Sequence, residues 1–219
     1  MDLNHKVIAI DGPSASGKGT VASRVAAALG FHYLDSGALY RLTALYAQKQ
    51  HIEWNDETGV TKLAQSLPIV FEGQTVWLDG EDVSEAIRTE AIGMGASAVA
   101  QLPQVREALL QRQRDFLTKQ GLVGDGRDMG SVIFPNAALK VFLTASAQVR
   151  AERRAKQLGS PCEGVAFERI LADIEARDEA DRRRPVAPLV QLPDAELLDT
   201  SEMGIDEAVK KVLDWYGKK

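Results

Sequence analysis

A glycine-rich segment near the start of the chain constrains the fold more than any other feature. Residues 10–20 read Ile-Asp-Gly-Pro-Ser-Ala-Ser-Gly-Lys-Gly-Thr, in which two glycines separated by four residues are followed directly by Lys18. The apolar run at 7–10 predicts a buried β-strand before the segment, and 18–29 predict a helix after it. Glycines in such a turn let backbone N–H groups surround phosphate oxygens, and the helix N-terminus adds a favourable dipole. The segment predicts a nucleotide phosphate loop formed by Gly12, Pro13, Ser14, Ala15, Ser16, Gly17, Lys18, Gly19 and Thr20. An ordinary strand–helix turn with an incidental lysine is the alternative.

Position 19 departs from the common form of this loop, which carries a Ser or Thr hydroxyl that helps to hold Mg²⁺. Here Gly19 lacks that hydroxyl, and Thr20 supplies one a residue later. The sequence Gly-Lys-Gly-Thr resembles the form found in nucleoside monophosphate kinases such as adenylate kinase. Asp125 ends another predicted strand at 122–126 and is the candidate carboxylate for indirect contact with Mg²⁺. A plain strand-end turn is the other interpretation of Asp125.

Composition excludes several classes of protein. The chain has 219 residues, of which 45% are apolar and 26% charged, as is usual for a folded globular protein. A net charge of -5 argues against a nucleic-acid partner bound by bulk electrostatics. The one cysteine, Cys162, excludes an internal disulfide and a cysteine-based zinc site. No apolar run approaches the roughly 20 residues of a membrane helix, so we expect a cytoplasmic, monomeric protein without membrane contact.

Strands and helices alternate along most of the chain, which predicts an α/β fold with one parallel sheet wrapped by helices. Residues 67–83 break this alternation, because two short apolar runs separated by Glu-Gly-Gln predict an antiparallel meander. We therefore expect a mixed insertion near 60–100 within a single domain. Ser84 is the predicted N-cap of the following helix, and a further helix is predicted from Pro103 to Lys119.

Two predicted loops could bind a second phosphate, as a kinase requires for its acceptor. In the first, Ser36 and Gly37 open a helix, and Tyr40 and Arg41 follow one turn later. The second follows the strand at 122–126 and contains Arg127 and Asp128, at the end of the sheet where ligands bind in open α/β folds. A capped core helix and a turn with a local ion pair are the respective alternatives.

Two predicted helices carry further arginines at helical spacing. Arg177, Asp181 and Arg184 share one helical face, and Pro185 ends that helix. Arg150, Arg153 and Arg154 form a cationic cluster that suits a mobile lid over the donor phosphates. Solvated charged faces remain the alternative for both sets.

The sequence resembles the bacterial cytidylate kinases along nearly its whole length. The segments that carry the resemblance are IDGPSASGKGT, YLDSGALYR, GEDVSEAIRTE, VREALLQRQR, GDGRDMGSVIFP and RDEADRRRPVAPL. The resemblance implies a P-loop NTPase-type fold with a five-stranded parallel core. It also implies a single kinase domain over 1–219, with a nucleoside-monophosphate-binding insertion at 60–100 and a lid at 150–168.

The implied reaction is transfer of a phosphoryl group from ATP to CMP or dCMP, with Mg²⁺ required. By resemblance, the CMP phosphate is held by Ser36, Arg41, Arg127 and Arg184. Tyr40 and Gly37 would line that site, Arg177 and Asp181 would contact the sugar, and Ser97, Arg106 and Asp128 would read the cytosine. Lys18, Arg150, Arg153 and Arg154 are the candidates for stabilising charge on the transferring group.

Asp128 has an independent chemical rationale as a reader of cytosine. A carboxylate accepts a hydrogen bond from the N4 amino group, whereas uracil presents the O4 acceptor at that place. Alternatives to a cytidylate kinase are a P-loop kinase for uridylate or a small metabolite such as shikimate, a GTPase switch, and a nucleotide-binding protein without turnover. A switch would need a guanine-reading Asn-Lys-x-Asp, which the sequence lacks.

Overall fold

The computed structural model of the protein comprises two compact units. The structure describes residues 3–72, 75–159 and 163–219. The first unit comprises residues 1–34 and 116–219, and the second comprises 35–115. The strands, in chain order, are β1 (Val7–Asp11), β2 (His32–Asp35), β3 (Ile69–Glu72), β4 (Thr75–Leu78), β5 (Glu81–Asp82), β6 (Leu122–Gly126), β7 (Leu139–Thr144) and β8 (Glu196–Asp199). The α-helices are α1 (Lys18–Leu29), α2 (Ser36–Lys49), α3 (Glu57–Gln65), α4 (Glu90–Val99), α5 (Pro103–Arg114), α6 (Ala147–Leu158), α7 (Gly164–Arg183) and α8 (Ile205–Tyr216).

A five-stranded sheet of order β2-β6-β1-β7-β8 forms the centre of the fold. The pairings of β1 with β6, β1 with β7 and β7 with β8 are parallel. Every residue of β1 is buried because helices cover both faces of a parallel sheet, and this explains its uninterrupted apolar run. The predicted α/β fold with a five-stranded parallel sheet is confirmed.

The register of the sheet places the phosphate loop beside the loop that follows β6. Asp11 at the end of β1 pairs with Gly126 at the end of β6. Both strands point the same way, so the segments after them leave the sheet at one edge. Ligands of open α/β sheets bind at this carboxyl edge.

The second unit has its own apolar core and a separate three-stranded antiparallel sheet of order β3-β4-β5. Leu42 and Leu45 of α2 pack with Leu67, Leu78 and further buried side chains. The predicted meander is therefore present, and the predicted insertion at 60–100 falls inside this unit.

Two local predictions differ from the structure, and one helix was not predicted. Helix α5 ends at Arg114 and not at Lys119, and helix α3 was not predicted, although Asp56 caps it by accepting a hydrogen bond from the Gly59 N–H at 3.0 Å. The prediction that Ser84 caps the next helix is wrong, because its hydroxyl accepts from the Val76 N–H and donates to Asp82. The Ser84 side chain therefore binds β4 and β5 and does not cap a helix.

Residues 73–74 of the predicted meander, residues 160–162 of the predicted lid and thus Cys162 lie outside the described residues. Across the described ranges, no helix combines the length and the apolar character needed to cross a membrane.

Candidate active site

The phosphate loop joins β1 to α1 through two residues with left-handed backbone conformation. Gly17 has φ 90° and Ala15 has φ 57°, and a non-glycine residue in that region costs conformational energy and is held by its surroundings. The Ala15 methyl packs against an apolar cluster of α6 and α7 that includes Ala151 and Phe167. Packing by these two helices therefore supports the strained turn.

Three carbonyl groups of the loop are bound by cationic side chains of the first unit. Lys18 Nζ donates to the Pro13 carbonyl at 3.1 Å. Arg150 Nη1 donates to the Ser14 carbonyl at 3.0 Å, and Arg153 Nη1 donates to the Ser16 carbonyl at 2.9 Å. A loop whose carbonyls are held by the protein can direct its N–H groups toward an anion.

The neighbourhood of Gly19 explains why this position lacks a side chain. A Cβ atom added at Gly19 would lie 3.2 Å from the Tyr33 hydroxyl and 3.7 Å from Asp125 Oδ1. The Tyr33 hydroxyl donates a hydrogen bond of 2.7 Å to the buried Asp125 carboxylate. A serine at this position would crowd the Tyr33–Asp125 pair. The Asp125 carboxylate therefore borders the space in which the common form of the loop has its Ser or Thr hydroxyl. Thr20 lies on the exposed side of the first turn of α1.

Asp11, the last residue of β1, holds the turn that follows Asp128. Its two carboxylate oxygens accept hydrogen bonds from the N–H groups of Met129 and Gly130, both at 2.8 Å. Burial raises the pKa of Asp11 to about 6, an effect that these N–H groups and Lys18 reduce and that Asp128 increases. Asp11 therefore ties the candidate base-reading loop to the strand that precedes the phosphate loop.

The raised pKa of Asp11 predicts a specific dependence of stability on pH. Between the ordinary pKa of 3.8 and about 6, Asp11 is protonated in the folded protein but ionised in the unfolded chain. The free energy of unfolding therefore falls by about 3 kcal/mol as the pH rises through that window. Urea unfolding at pH 4 to 7 should show this loss in the wild type but not in Asp11→Asn. The exposed Asp173→Asn serves as the control, and parallel curves for Asp11→Asn and wild type would contradict the assignment.

Arg127 connects α7 to the phosphate loop. Its Nε donates to Asp181 Oδ2 at 2.6 Å, and its Nη2 donates to the Ser14 hydroxyl at 2.8 Å. Burial lowers the pKa of Arg127, but the carboxylates of Asp181, Asp125 and Asp178 raise it by more, so the pKa lies above its ordinary value. Arg127 is therefore a fixed positive charge beside the donor loop.

Asp181 is ionised between two arginines. Burial alone would raise its pKa, but Arg127 and Arg184 lower it below the ordinary value. Arg184, just after α7, is buried and donates to the Ala187 carbonyl at 2.8 Å. Arg177 is half-buried, and its pKa is lowered by burial and partly restored by Asp181. The structure thus brings Arg127 and Arg184 together around the Asp181 carboxylate.

Asp128 is buried at the start of a π-helical turn that spans Met129–Ile133. Its carbonyl accepts hydrogen bonds from the N–H groups of Val132 and Ile133. The backbone carbonyl of Asp128 thus shapes the turn, and the Asp128 carboxylate takes no part in these two hydrogen bonds. This π-helical turn was not predicted.

In the second unit, the residues at the start of α2 are organised by Asp35 and Gln113. Asp35 caps the helix by accepting from the Ala38 N–H at 2.9 Å, and it pairs with Arg41 at 2.6 Å. A Cβ atom at Gly37 would lie 2.9 Å from Arg41 Nη1, so glycine leaves room for the guanidinium. The Ser36 hydroxyl donates to the buried Gln113 side chain at 2.6 Å.

Tyr40 and Arg106 form a second pair within this unit. The Arg106 guanidinium lies over the Tyr40 ring at 5.7 Å from its centroid and donates to the Ala100 carbonyl at 3.2 Å. Both side chains are buried, and such a cation–π contact fixes the plane of the guanidinium. Ser97 lies partly buried on α4.

The three arginines of α6 occupy different environments. Arg150 is buried and pairs with Asp178 of α7, with N–O distances of 3.1 and 2.5 Å. Arg153 also donates to the Thr200 carbonyl at 2.7 Å. Arg154 lies partly exposed, 3.5 Å from the Gln157 side-chain oxygen. For Arg150, the alternative of a solvated basic face is therefore wrong.

Sequence reasoning missed several residues that organise these sites, namely Asp11, Tyr33, Asp35, Gln113 and Asp178. Asp35 had a recognisable signal, since an aspartate directly before a helix is a common N-cap. Asp178 and Gln113 had none, because their partners lie 28 and 77 residues away in the sequence.

The chain matches known proteins over nearly its whole length. The family model described as cytidylate kinase matches residues 8–218. A cytidylate kinase of Neisseria meningitidis serogroup B is 75% identical over 212 residues, which cover 97% of both chains. A cytidylate kinase of Chromobacterium violaceum is 61% identical over 213 residues, covering 97% of this chain and 96% of the relative.

The fold also resembles a solved structure of low sequence similarity. An uncharacterised protein from Eubacterium ventriosum superposes with a TM-score of 0.55 at 10% identity, covering 97% of this chain and 99% of that one. At this identity the likeness concerns the fold alone.

Proposed function

Because the chain belongs to the cytidylate kinase family, we infer that it transfers the γ-phosphoryl group of ATP to CMP, giving ADP and CDP. The observation that carries this inference is the extent of the match, which includes the phosphate loop and every residue predicted to bind the acceptor. We further propose that dCMP is accepted and that the protein acts in the cytoplasm as a monomer.

ATP is proposed to bind at the loop from Gly12 to Thr20. The contacts of Arg150 and Arg153 on the carbonyls of Ser14 and Ser16 support this proposal, because they leave the loop's N–H groups for the phosphates. Lys18 at the start of α1 would place its charge on the terminal phosphates, exchanging its contact with the Pro13 carbonyl for phosphate oxygens.

The residues beside Gly19 fit a magnesium ion that binds mainly to phosphates and water. Asp125 presents a buried carboxylate held by Tyr33 next to the open side of Gly19, and carboxylate oxygens suit this hard cation. We propose that Asp125 contacts Mg²⁺ through water, with Thr20 as the second candidate. The ion would neutralise charge on the β- and γ-phosphates.

We propose that the CMP phosphate is bound by Ser36, Arg41, Arg127 and Arg184. Both units hold such arginines against an aspartate, Arg41 on Asp35 and Arg127 on Asp181. Charge-assisted pairs of this kind orient a guanidinium before an anion arrives. The acceptor is already an anionic phosphate, so no general base is required.

The nucleoside of CMP is proposed to be recognised by two further groups of residues. Asp128, Arg106 and Ser97 would read cytosine, with the carboxylate accepting from N4 and the guanidinium donating to N3 or O2. The contact of Arg106 with Tyr40 supports this role, because it fixes the donor plane. Arg177 and Asp181 would contact the sugar, and Tyr40 and Gly37 would line the phosphate site.

We propose that Lys18 and the α6 arginines, Arg150, Arg153 and Arg154, favour the charge that develops on the transferring phosphoryl group, either by contact or through the loop that binds the donor. The whole chain would act as one kinase domain, with the insertion at 60–100 binding the monophosphate and the segment at 150–168 acting as a lid. Closure around both nucleotides would exclude water, which would otherwise accept the phosphoryl group.

The test is an ADP-release assay with ATP and each of CMP, dCMP, UMP and AMP. We expect kcat/KM for CMP to exceed that for UMP by about tenfold or more, since O4 of uracil leaves the Asp128 carboxylate unpaired. Equal or better activity with UMP would overturn the cytosine-reading proposal and favour a uridylate kinase. Activity with none of the four nucleotides would overturn the kinase proposal itself.

A further inference from the structure

Helices α6 and α7 contact three consecutive residues of the phosphate loop. Arg150 binds the Ser14 carbonyl, and Arg153 binds the Ser16 carbonyl. Between them, the Ala15 methyl packs on the apolar cluster that these helices share. The side of the loop formed by 14–16 is therefore held by one helix pair.

Within this arrangement Arg150 depends on Asp178. The two side chains are 5% and 3% exposed and form a bidentate pair, while Arg150 Nε donates to the Ala145 carbonyl at 2.9 Å. Arg150 thus uses Nε, Nη1 and Nη2 on protein acceptors and reaches the phosphate loop at Ser14 only through its carbonyl. A guanidinium bound in this way acts on the loop backbone.

We propose that Asp178 is a positioning residue for the phosphoryl donor: through Arg150 it fixes the Ser14 carbonyl and thereby the conformation in which the loop binds ATP phosphates. The contribution of Arg150 to catalysis is then exerted through the loop and not by contact with the transferring group. This inference rests on the proposed kinase function and deepens it.

The same helix links this support to the acceptor side. Asp181 lies three residues after Asp178 and holds Arg127, whose Nη2 binds the Ser14 hydroxyl. Ser14 therefore receives one arginine on its carbonyl and another on its side chain. Only Arg150, which binds the carbonyl, belongs to the proposed donor support. A change at Asp178 should therefore alter the affinity for ATP more than the affinity for CMP.

The experiment compares Asp178→Asn with the wild type, using a non-hydrolysable ATP analogue for the donor and KM for CMP as acceptor. Loss of the charged partner should weaken analogue binding by about tenfold, because a charge-assisted pair that orients the loop is lost. KM for CMP should change less than about twofold. Arg182→Met is the matched control: Arg182 lies 3.7 Å from the same carboxylate but is exposed on the surface of α7.

A double variant, Arg150→Met with Asp178→Leu, separates positioning from stability. Replacing both members of a buried ion pair with apolar side chains commonly preserves stability, whereas removing one member leaves an unpaired charge. Under the proposal, the double variant unfolds at the same urea concentration as the wild type. It nevertheless binds the ATP analogue more weakly than the wild type does, because the contact with the Ser14 carbonyl is lost. Recovery of wild-type analogue affinity would overturn the proposal, as would equal weakening of analogue and CMP binding.

Arg150→Lys provides an independent variant if the double variant does not fold. It preserves the charge beside Asp178 but cannot reach the carbonyls of both Ser14 and Ala145, so analogue binding should again weaken while KM for CMP holds. Normal analogue binding by Arg150→Lys would contradict the proposal. Failure of the wild type to bind the analogue would instead contradict the proposed kinase function, so the two failures are distinguishable.

Discussion

Replacing Lys18 with methionine is expected to lower kcat by about 10³-fold, the largest single effect predicted for this protein. Methionine keeps an unbranched apolar stem in this buried position at the start of α1 but removes the ammonium group. The reaction gains most of its rate from stabilising charge on the phosphoryl group, so loss of a point charge there acts mainly on kcat. Steady-state ADP release at saturating ATP and CMP measures the effect.

A matched control for this variant is Lys49→Met, which removes an ammonium group paired with Glu81 in the second unit. That variant should retain wild-type kcat, since surface ion pairs contribute little. A decrease of less than tenfold in Lys18→Met would show that Lys18 does not act on the transferring group. The loop would then depend on backbone N–H groups alone.

Replacing Asp128 with alanine is expected to lower kcat/KM for CMP by about 10- to 100-fold while ATP affinity stays within about twofold of the wild type. The carboxylate that accepts from N4 of cytosine is removed, but the backbone carbonyl that shapes the following turn remains. Discrimination between CMP and UMP should fall as well, since UMP loses an unfavourable contact. Kinetics with both acceptors, together with ATP binding in the absence of CMP, measure these effects.

Asp194→Ala is the corresponding control, because it removes an exposed aspartate that pairs with Lys140 in the first unit. Its kinetics should match the wild type for both acceptors. If Asp128→Ala weakens ATP binding and leaves CMP kinetics intact, the assignment of this loop to the base is wrong. Asp128 would then belong to the donor side, close to Asp11 and Lys18.

The elements of the first unit were largely predictable from local patterns. The predicted helix at 18–29 and the predicted strand at 122–126 match α1 and β6 in their bounds. Buried parallel strands read as short apolar runs, and glycines mark the turns that follow. In the second unit, α3 was missed because its nine residues give only a short periodic pattern, and Gly59 in its first turn is a poor helix former.

The candidate site was predictable in its charged residues but not in their partners. Arg150 was assigned to a cluster of three similar arginines at helical spacing, and nothing in that spacing distinguishes it from Arg154. The fold buries Arg150 against Asp178 and leaves Arg154 partly exposed. Burial decides whether a guanidinium is a structural support or a surface charge, and burial depends on which elements pack together.

The sequence by itself determined the phosphate loop, the α/β class and the family, because each depends on residues that lie within a few positions of one another. A loop that turns from strand to helix needs its glycines and its lysine in fixed local order. Only the tertiary structure decided that Gly19 faces Tyr33 and Asp125, and that Arg150 reaches Ser14 across 136 positions of sequence. Such contacts are set by the order of strands in the sheet and the packing of helices on it, which bring distant segments to one edge.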